Sequence, residues 1–131
     1  MREAPVENII DKALECLKNA KHCHTNDMFD LALNRSYYAM FHSIQALLSS
    51  IGASLNKSHT GTHNAFHKEF IVTGIMPRDL GVALKRIFEQ RQFGDYDYQE
   101  VHEEEAMEGI SDADKFVSAT IQYLRENNHI K

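Results

Sequence analysis

A chain of 131 residues has the size of one ordinary domain, and its 43% hydrophobic and 25% charged content is that of a globular chain rather than a disordered one. A net charge of −5 excludes recruitment of nucleic acid by bulk charge, so any RNA contact requires a local basic patch. No apolar run reaches the roughly 18 residues of a membrane span, and the start "MREAPVENII" lacks a signal peptide's apolar stretch, so a cytoplasmic chain forming one domain over residues 1–131 is expected.

Few glycines and two prolines favour helices. The first apolar stripe is Ile9, Ala13, Leu14, Leu17 and Ala20, and its 3–4 spacing predicts an amphipathic helix over roughly 6–23. Cys16 and Cys23 fall on it two turns apart, about 10 Å, which is too far for a disulfide, and are read as reduced thiols. Thr25, Asn26 and Asp27 are N-cap candidates for a second helix over about 27–51, which ends near Gly52.

At about 100° per residue the second helix divides into three faces. Ala32, Ser36, Ala39, Ser43 and Ala46 form a seam of small residues that lets a neighbouring helix approach closely. Leu33, Tyr37, Met40, Phe41, Ile44, Leu47 and Leu48 form a broad apolar arc that must be core. The third face carries Leu31, Arg35, Tyr38, His42, Gln45 and Ser49. There, an arginine and a histidine two turns apart with a tyrosine between them are either an ion-paired, satisfied pair or an anion grip beside a group that titrates near neutral pH.

Ser58 or Thr60 is placed to cap a shorter third helix carrying Ala65, Phe66, Phe70 and Ile71, punctuated by Gly74 and Pro77. His59, His63 and His67 recur every four residues and line one helix face, where imidazoles at that spacing can share a metal. No His-Glu-x-x-His motif accompanies them, so no metal or cofactor is assigned. In the other reading Lys57, His59 and helix N-terminal amides face a phosphate. A fourth helix is predicted over about 78–93 with Leu80, Ala83, Leu84, Ile87 and Phe88, broken by the loop "FGDYDY". The last, over about 102–127, has the seam Ala106, Ile110, Ala113, Val117, Thr120 and Leu124, with Glu103, Glu104 and Glu105 at its positive end. With no strand pattern, the chain is expected to be an all-α antiparallel up-and-down bundle of four main helices plus one short one.

The segments "RSYYAMFHSIQALL", "NKSHTGTHNAF", "RQFGDYDY" and, in the last helix, "ADKFV" occur in this order over about residues 8–126. In this the sequence resembles the small prokaryotic HEPN (higher eukaryotes and prokaryotes nucleotide-binding) proteins. The resemblance implies a helical bundle that commonly dimerises. Many members are encoded beside a small nucleotidyltransferase, and such pairs can act as toxin and antitoxin. Active members are metal-independent ribonucleases using an Arg-x4–6-His motif, usually near the start of a late helix and paired with its twin at a dimer groove. Here Arg91 holds the arginine position, and Tyr96 stands where the shortest form of the motif has histidine. A related branch uses a tyrosine after the arginine as a target of nucleotide transfer by the partner enzyme. Arg35-x6-His42 satisfies the same pattern in an earlier helix.

Metal-free RNA cleavage needs a proton taken from a ribose 2′-hydroxyl, a proton given to the leaving oxygen, and a cation on the phosphate. Arg91, Tyr96 and His42 are therefore the expected catalytic residues, with His102 a further imidazole to set beside Arg91. Arg35, Tyr38, Asp95, Lys57 and His59 are the expected nucleotide- or RNA-binding residues. The expected partners are a second copy of the chain, a small nucleotidyltransferase, and RNA or a nucleotide. The competing reading is a non-catalytic helical adaptor whose polar aromatic face binds a partner protein; in it, Arg91, Asp95 and Tyr96 form only a structural clamp. The sequence carries no Gly-x-x-x-x-Gly-Lys-Ser/Thr loop, no dinucleotide-binding Gly-x-Gly-x-x-Gly and no nucleotidyltransferase signature.

Overall fold

The computed structural model describes residues 5–53, 58–96 and 100–131, the side chains of 92–96 excepted. Lys57 and Tyr98, and the side chains of Asp95 and Tyr96, lie outside the described residues. The elements are α1 (Val6–Thr25), α2 (Phe29–Ser50), α3 (His59–Phe66), a π-helical turn (His67–Ile71), α4 (Arg78–Tyr96) and α5 (Glu103–Glu126), with no strand among the described residues. The all-α expectation holds. None of these helices is long and apolar enough to cross a membrane.

Helix α2 is the hub. Its apolar arc is buried in full, and so is its small seam from Ala32 to Ala46. The seam receives both neighbours: Ala32 packs with Ala20 and Cys23 of α1 and with Ala106 and Ile110 of α5, and a Cβ built on Gly109 would lie 3.9 Å from Ser36 Cβ. The same Cβ would come within 2.8 Å of Leu33 Cδ1 and 3.3 Å of Ile87 Cδ1, so α2, α4 and α5 meet at Gly109. Gly109→Ala is expected to destabilise the protein by about 1 kcal/mol net in denaturant unfolding. Overpacking costs about 1–3 kcal/mol and improved helix propensity returns about 1. A Gly109→Ala variant more stable than the parent would show that Leu33 turns aside freely.

Helix α1 runs antiparallel to α5, since Lys21 pairs with Asp114 (3.5 Å) and His24 with Glu103 (3.6 Å). The α1 stripe is turned by one residue from expectation: Ile10, Cys16 and Cys23 are buried with Ala13, Leu17 and Ala20, whereas Leu14 is 42% exposed and Ile9 only part-buried. The two cysteines are free thiols, and burial raises the Cys16 pKa.

The linker residues do a different job from the one expected. Asn26 and Asp27 finish α1 instead of capping α2. Asp27 adopts φ 60°, its N–H reaches His24 O (3.1 Å), and Met28 N–H reaches Cys23 O (2.9 Å), the paired bonds of a Schellman closure. Asn26 Nδ2 donates to His22 O (2.9 Å), and Met28 becomes the N-cap residue of α2. Gly52 does end α2 as expected: at φ 73° it donates to Ser49 O (3.0 Å), and Ala53 donates to Leu48 O (3.0 Å).

Ser58 caps α3, accepting from Gly61 N–H at 3.0 Å. A π-turn over His67–Ile71 then buries Phe70 and Ile71. A second correction concerns α4, which continues through Gly94 to Tyr96 rather than breaking at "FGDYDY". One glycine costs about 1 kcal/mol in a helix, which flanking turns can outweigh. Arg86 ties α4 to α5 by pairing with Glu108 (2.9 Å) and Asp112. The predicted α5 seam is buried at every position.

Candidate functional site

The polar groups gather where α2, α3 and α4 meet, around adjacent tyrosines on different faces of α2. Tyr37 belongs to the apolar arc and is fully buried, yet its hydroxyl lies 2.5 Å from His59 Nδ1 and 2.9 Å from His63 Nε2. Both imidazoles are presented by α3, one turn apart, which is why the four-residue spacing brings them to one oxygen. A hydroxyl has one proton and two lone pairs. Tyr37 therefore donates to one ring and accepts from the other, forming a continuous His59–Tyr37–His63 chain. Aromatic walls close around it: Phe41 stacks on His59 (4.5 Å between centroids), and Phe88 of α4 stands edge-on to His63 (4.8 Å).

Arg91 of α4 covers this cluster. Its guanidinium carbon lies 5.1 Å from the Tyr37 ring centroid and 5.2 Å from that of Tyr38, and it donates to Tyr38 Oη at 3.2 Å. Such stacking suits guanidinium more than ammonium. On the third face of α2, Arg35 also lies 5.1 Å from the Tyr38 ring, anchored on Asn34 Oδ1 through Nε (3.1 Å) and Nη2 (2.7 Å). His42 adjoins Tyr38 (6.2 Å) and Phe41 (6.0 Å). Tyr38 is thus shared by two arginines, with the histidine of the Arg-x6-His pair one turn further along α2.

Electrostatics distinguish the two flanks. Burial lowers the His59 pKa, with Arg91 adding to it. Burial pushes His63 down to about 4, with His59 adding to it. His42 is lowered by burial and then by Lys12 and Arg35, so it belongs to the Arg35 flank. Burial raises Tyr37, which keeps its proton throughout the neutral range. All four are neutral at pH 7, and a neutral imidazole is a competent proton acceptor.

Of the sequence-derived residues, the structure brings together Arg91, Tyr38, Arg35, His42 and His59. His102 sits elsewhere, at the start of α5, where its N–H donates to Glu105 Oε1 (3.4 Å). Tyr37 and His63 are the additions. The histidine spacing marked the α3 face, but the facing nitrogens of His59 and His63 are turned onto the Tyr37 hydroxyl rather than left open to an ion, and the described residues contain no cluster of three or more metal-ligating side chains.

A family profile described as the HEPN domain matches residues 6–124. The chain is 39% identical over 126 residues, 95% of each sequence, to a UPF0332 protein of Thermotoga maritima. It is 32% identical over 128 residues, 96% of this chain and 86% of the relative, to "Putative toxin MJ0142" of Methanocaldococcus jannaschii. A second protein of that organism, "Putative toxin MJ0605", is 33% identical over 122 residues, 92% of this chain and 90% of the relative.

Proposed function

Because this chain belongs to the HEPN family, we propose that it is a toxin-like protein that binds RNA and cleaves it without metal at the α2–α3–α4 cluster, as the partner of a small nucleotidyltransferase. The observation that carries the reading is the Arg91 guanidinium lying over Tyr37 and Tyr38 beside the His59–Tyr37–His63 chain. It sets a phosphate-binding fork next to groups able to take and pass a proton.

In the tautomer with the proton on His59 Nδ1, the Nε2 lone pair accepts the ribose 2′ proton. The Nδ1–H stays hydrogen-bonded to Tyr37 Oη, whose own proton is held by His63 Nε2, so the pair fixes the His59 ring and its tautomer. His59 becomes the imidazolium as the 2′-oxygen attacks phosphorus, and it returns that proton to the 5′-oxygen as the P–O5′ bond breaks. Arg91 neutralises the charge gathered on the non-bridging oxygens. Tyr38 and Arg35 hold the flanking base and phosphate, with Lys57 and Asp95 assisting. His42 and Tyr96 are the residues assigned to hydrogen-bonding at the leaving oxygen. A second copy of the chain completes the groove.

The test is expression in a host of the wild type and of Arg35→Ala, His42→Ala and Arg91→Ala, scored for growth and RNA integrity, with cleavage repeated in a chelator. The wild type is expected to arrest growth and degrade RNA in chelator, and Arg91→Ala to relieve both. Intact RNA and unimpaired growth with the wild type would return the protein to the adaptor class.

A further inference from the structure

Between α3, the π-turn and α4 lies a groove of about 460 Å³, lined by His63 and Phe88 but by neither Arg91 nor the two tyrosines. That volume falls within the roughly 300–1,000 Å³ of small-molecule sites. Its floor is apolar, with Phe66, Ile71 and Leu84, and Phe88 and Val82 stand at its walls, Val82 being 62% exposed.

The charge of this groove opposes that of the chain. The protein carries −5 overall, yet the groove is lined by the cations Arg78 and Lys85, with His67 beside them, and by no carboxylate among the described residues. Arg78 and Lys85 are two turns apart on α4, about 10 Å along the helix, and neither has an ion-pair partner among the described residues. Arg86, next to Lys85 but facing α5, is paired twice. The α4 cations that face the groove are thus left to an outside anion.

Two backbone features shape the groove. The π-turn widens the helix after Phe66, and it supplies His67 to the rim and Ile71 to the floor; such turns often accompany functional sites. Gly81 leaves the floor open beside Ile71, whose Cγ1 would be 3.5 Å from an added Cβ.

We propose that this groove is a nucleotide subsite. The flat base lies against Phe88 and the imidazole of His63, and the phosphate is held by Lys85, Arg78 and His67. An aromatic wall with a cationic rim is the chemistry of single-nucleotide recognition. The occupant is either a free mononucleotide or one nucleotide of a single-stranded RNA. This inference rests on the RNA-directed reading above for its purpose, but its test does not depend on cleavage.

The experiment is an NMR titration of the full chain, following the His63, His67 and Phe88 ring resonances, with 5′-AMP, adenosine, ribose 5-phosphate and a short oligoadenylate as probes. AMP is expected to saturate those resonances in roughly the millimolar range or tighter. Adenosine and ribose 5-phosphate, each lacking one half of the determinant, are expected to bind roughly tenfold more weakly or worse, as is AMP to Lys85→Glu. Gly81→Leu fills the floor and should weaken AMP similarly while the Tyr37–His63 resonances stay in place. Competition of oligoadenylate with AMP identifies RNA as the source, and AMP binding alone identifies the free nucleotide. AMP shifts confined to the Arg91–Tyr38 side, or unchanged affinity in both variants, overturn the proposal. Repeating the titration in Arg91→Ala separates the two readings: cleavage lost with AMP still bound leaves both standing, and AMP binding in a wild type that never cleaves RNA removes only the ribonuclease.

Discussion

Replacing Tyr37 by phenylalanine is expected to lower RNA cleavage by about 10²–10⁴-fold, the usual contribution of positioned acid–base groups, while leaving the fold intact. The substitution keeps the ring and therefore its packing against Phe88 (5.5 Å), Phe41 (6.0 Å) and the Arg91 guanidinium. It removes one oxygen, and with it the shared partner of His59 Nδ1 and His63 Nε2. The two imidazoles are then free to rotate, and the bond that fixes the His59 tautomer is gone. Stability is expected to fall by roughly 1–3 kcal/mol, because two ring nitrogens lose their hydrogen-bond partner in a half-buried cluster. Single-turnover cleavage and denaturant unfolding measure the two effects on one preparation. A Tyr37→Phe protein that cleaves at the parental rate would show that the chain between the histidines does not position the base. One that unfolds at the parental midpoint would show that the hydroxyl makes no net bond.

The fold was legible wherever a helix had one plain face. The arc and seam of α2, and the α5 seam, needed only a period of 3.6, because residues with no polar function there have one place to go. Legibility failed where two positions compete on local grounds. Ile9 and Ile10 are adjacent and equally apolar, and which one turns inward is set by the approach of α2 and α5, which a single-helix pattern does not contain. Asn26 and Asp27 serve an N-cap and a left-handed C-terminal closure equally well as residue types, and the closing contacts of α1 decided between them. Gly94 is a breaker in isolation, yet it is carried inside α4.

The site was legible in halves. The polar face of α2 followed from helical geometry, and the choice of Arg91 as a candidate from the family resemblance. That both meet at Tyr38 required the crossing of α2 and α4. Tyr37 was hidden because a tyrosine on an apolar arc looks like core, and it is core. Its ring is buried, and only the hydroxyl at the far end reaches the polar cluster. The four-residue histidine repeat was the available signal for His63. It was equally compatible with a metal, and the partner that distinguishes the cases lies 26 residues upstream on another helix.

Acid is expected to unfold this protein through its histidines before its carboxylates are fully protonated. His63 titrates at about 4 in the fold against an ordinary value of 6.5, and burial lowers His59 and His42 in the same direction. A histidine with a depressed folded pKa binds its proton more readily in the unfolded chain. Between the two values the unfolded state holds more protons, and stability falls as the pH falls. The penalty is therefore absent above about pH 7, grows through 6.5, and is complete for His63 below about 4. The drop from 6.5 to about 4 corresponds to at most about 3–4 kcal/mol at 1.36 kcal/mol per decade, and partial solvent exposure reduces this to roughly 2. The cause is burial, to which His59 adds, and the Tyr37 hydroxyl gives it a structural consequence. With both imidazoles protonated it would face two N–H donors, and its own proton would have no acceptor among them. Denaturant midpoints between about pH 7.5 and 4 should show this slope, and His63→Gln, which retains an amide acceptor, should flatten it. A proton NMR titration of His63 with a midpoint near the ordinary 6.5 would refute the account. The same protonation removes the proposed base at His59, so cleavage should decline over the acid range in step with the His59 resonance and ahead of unfolding.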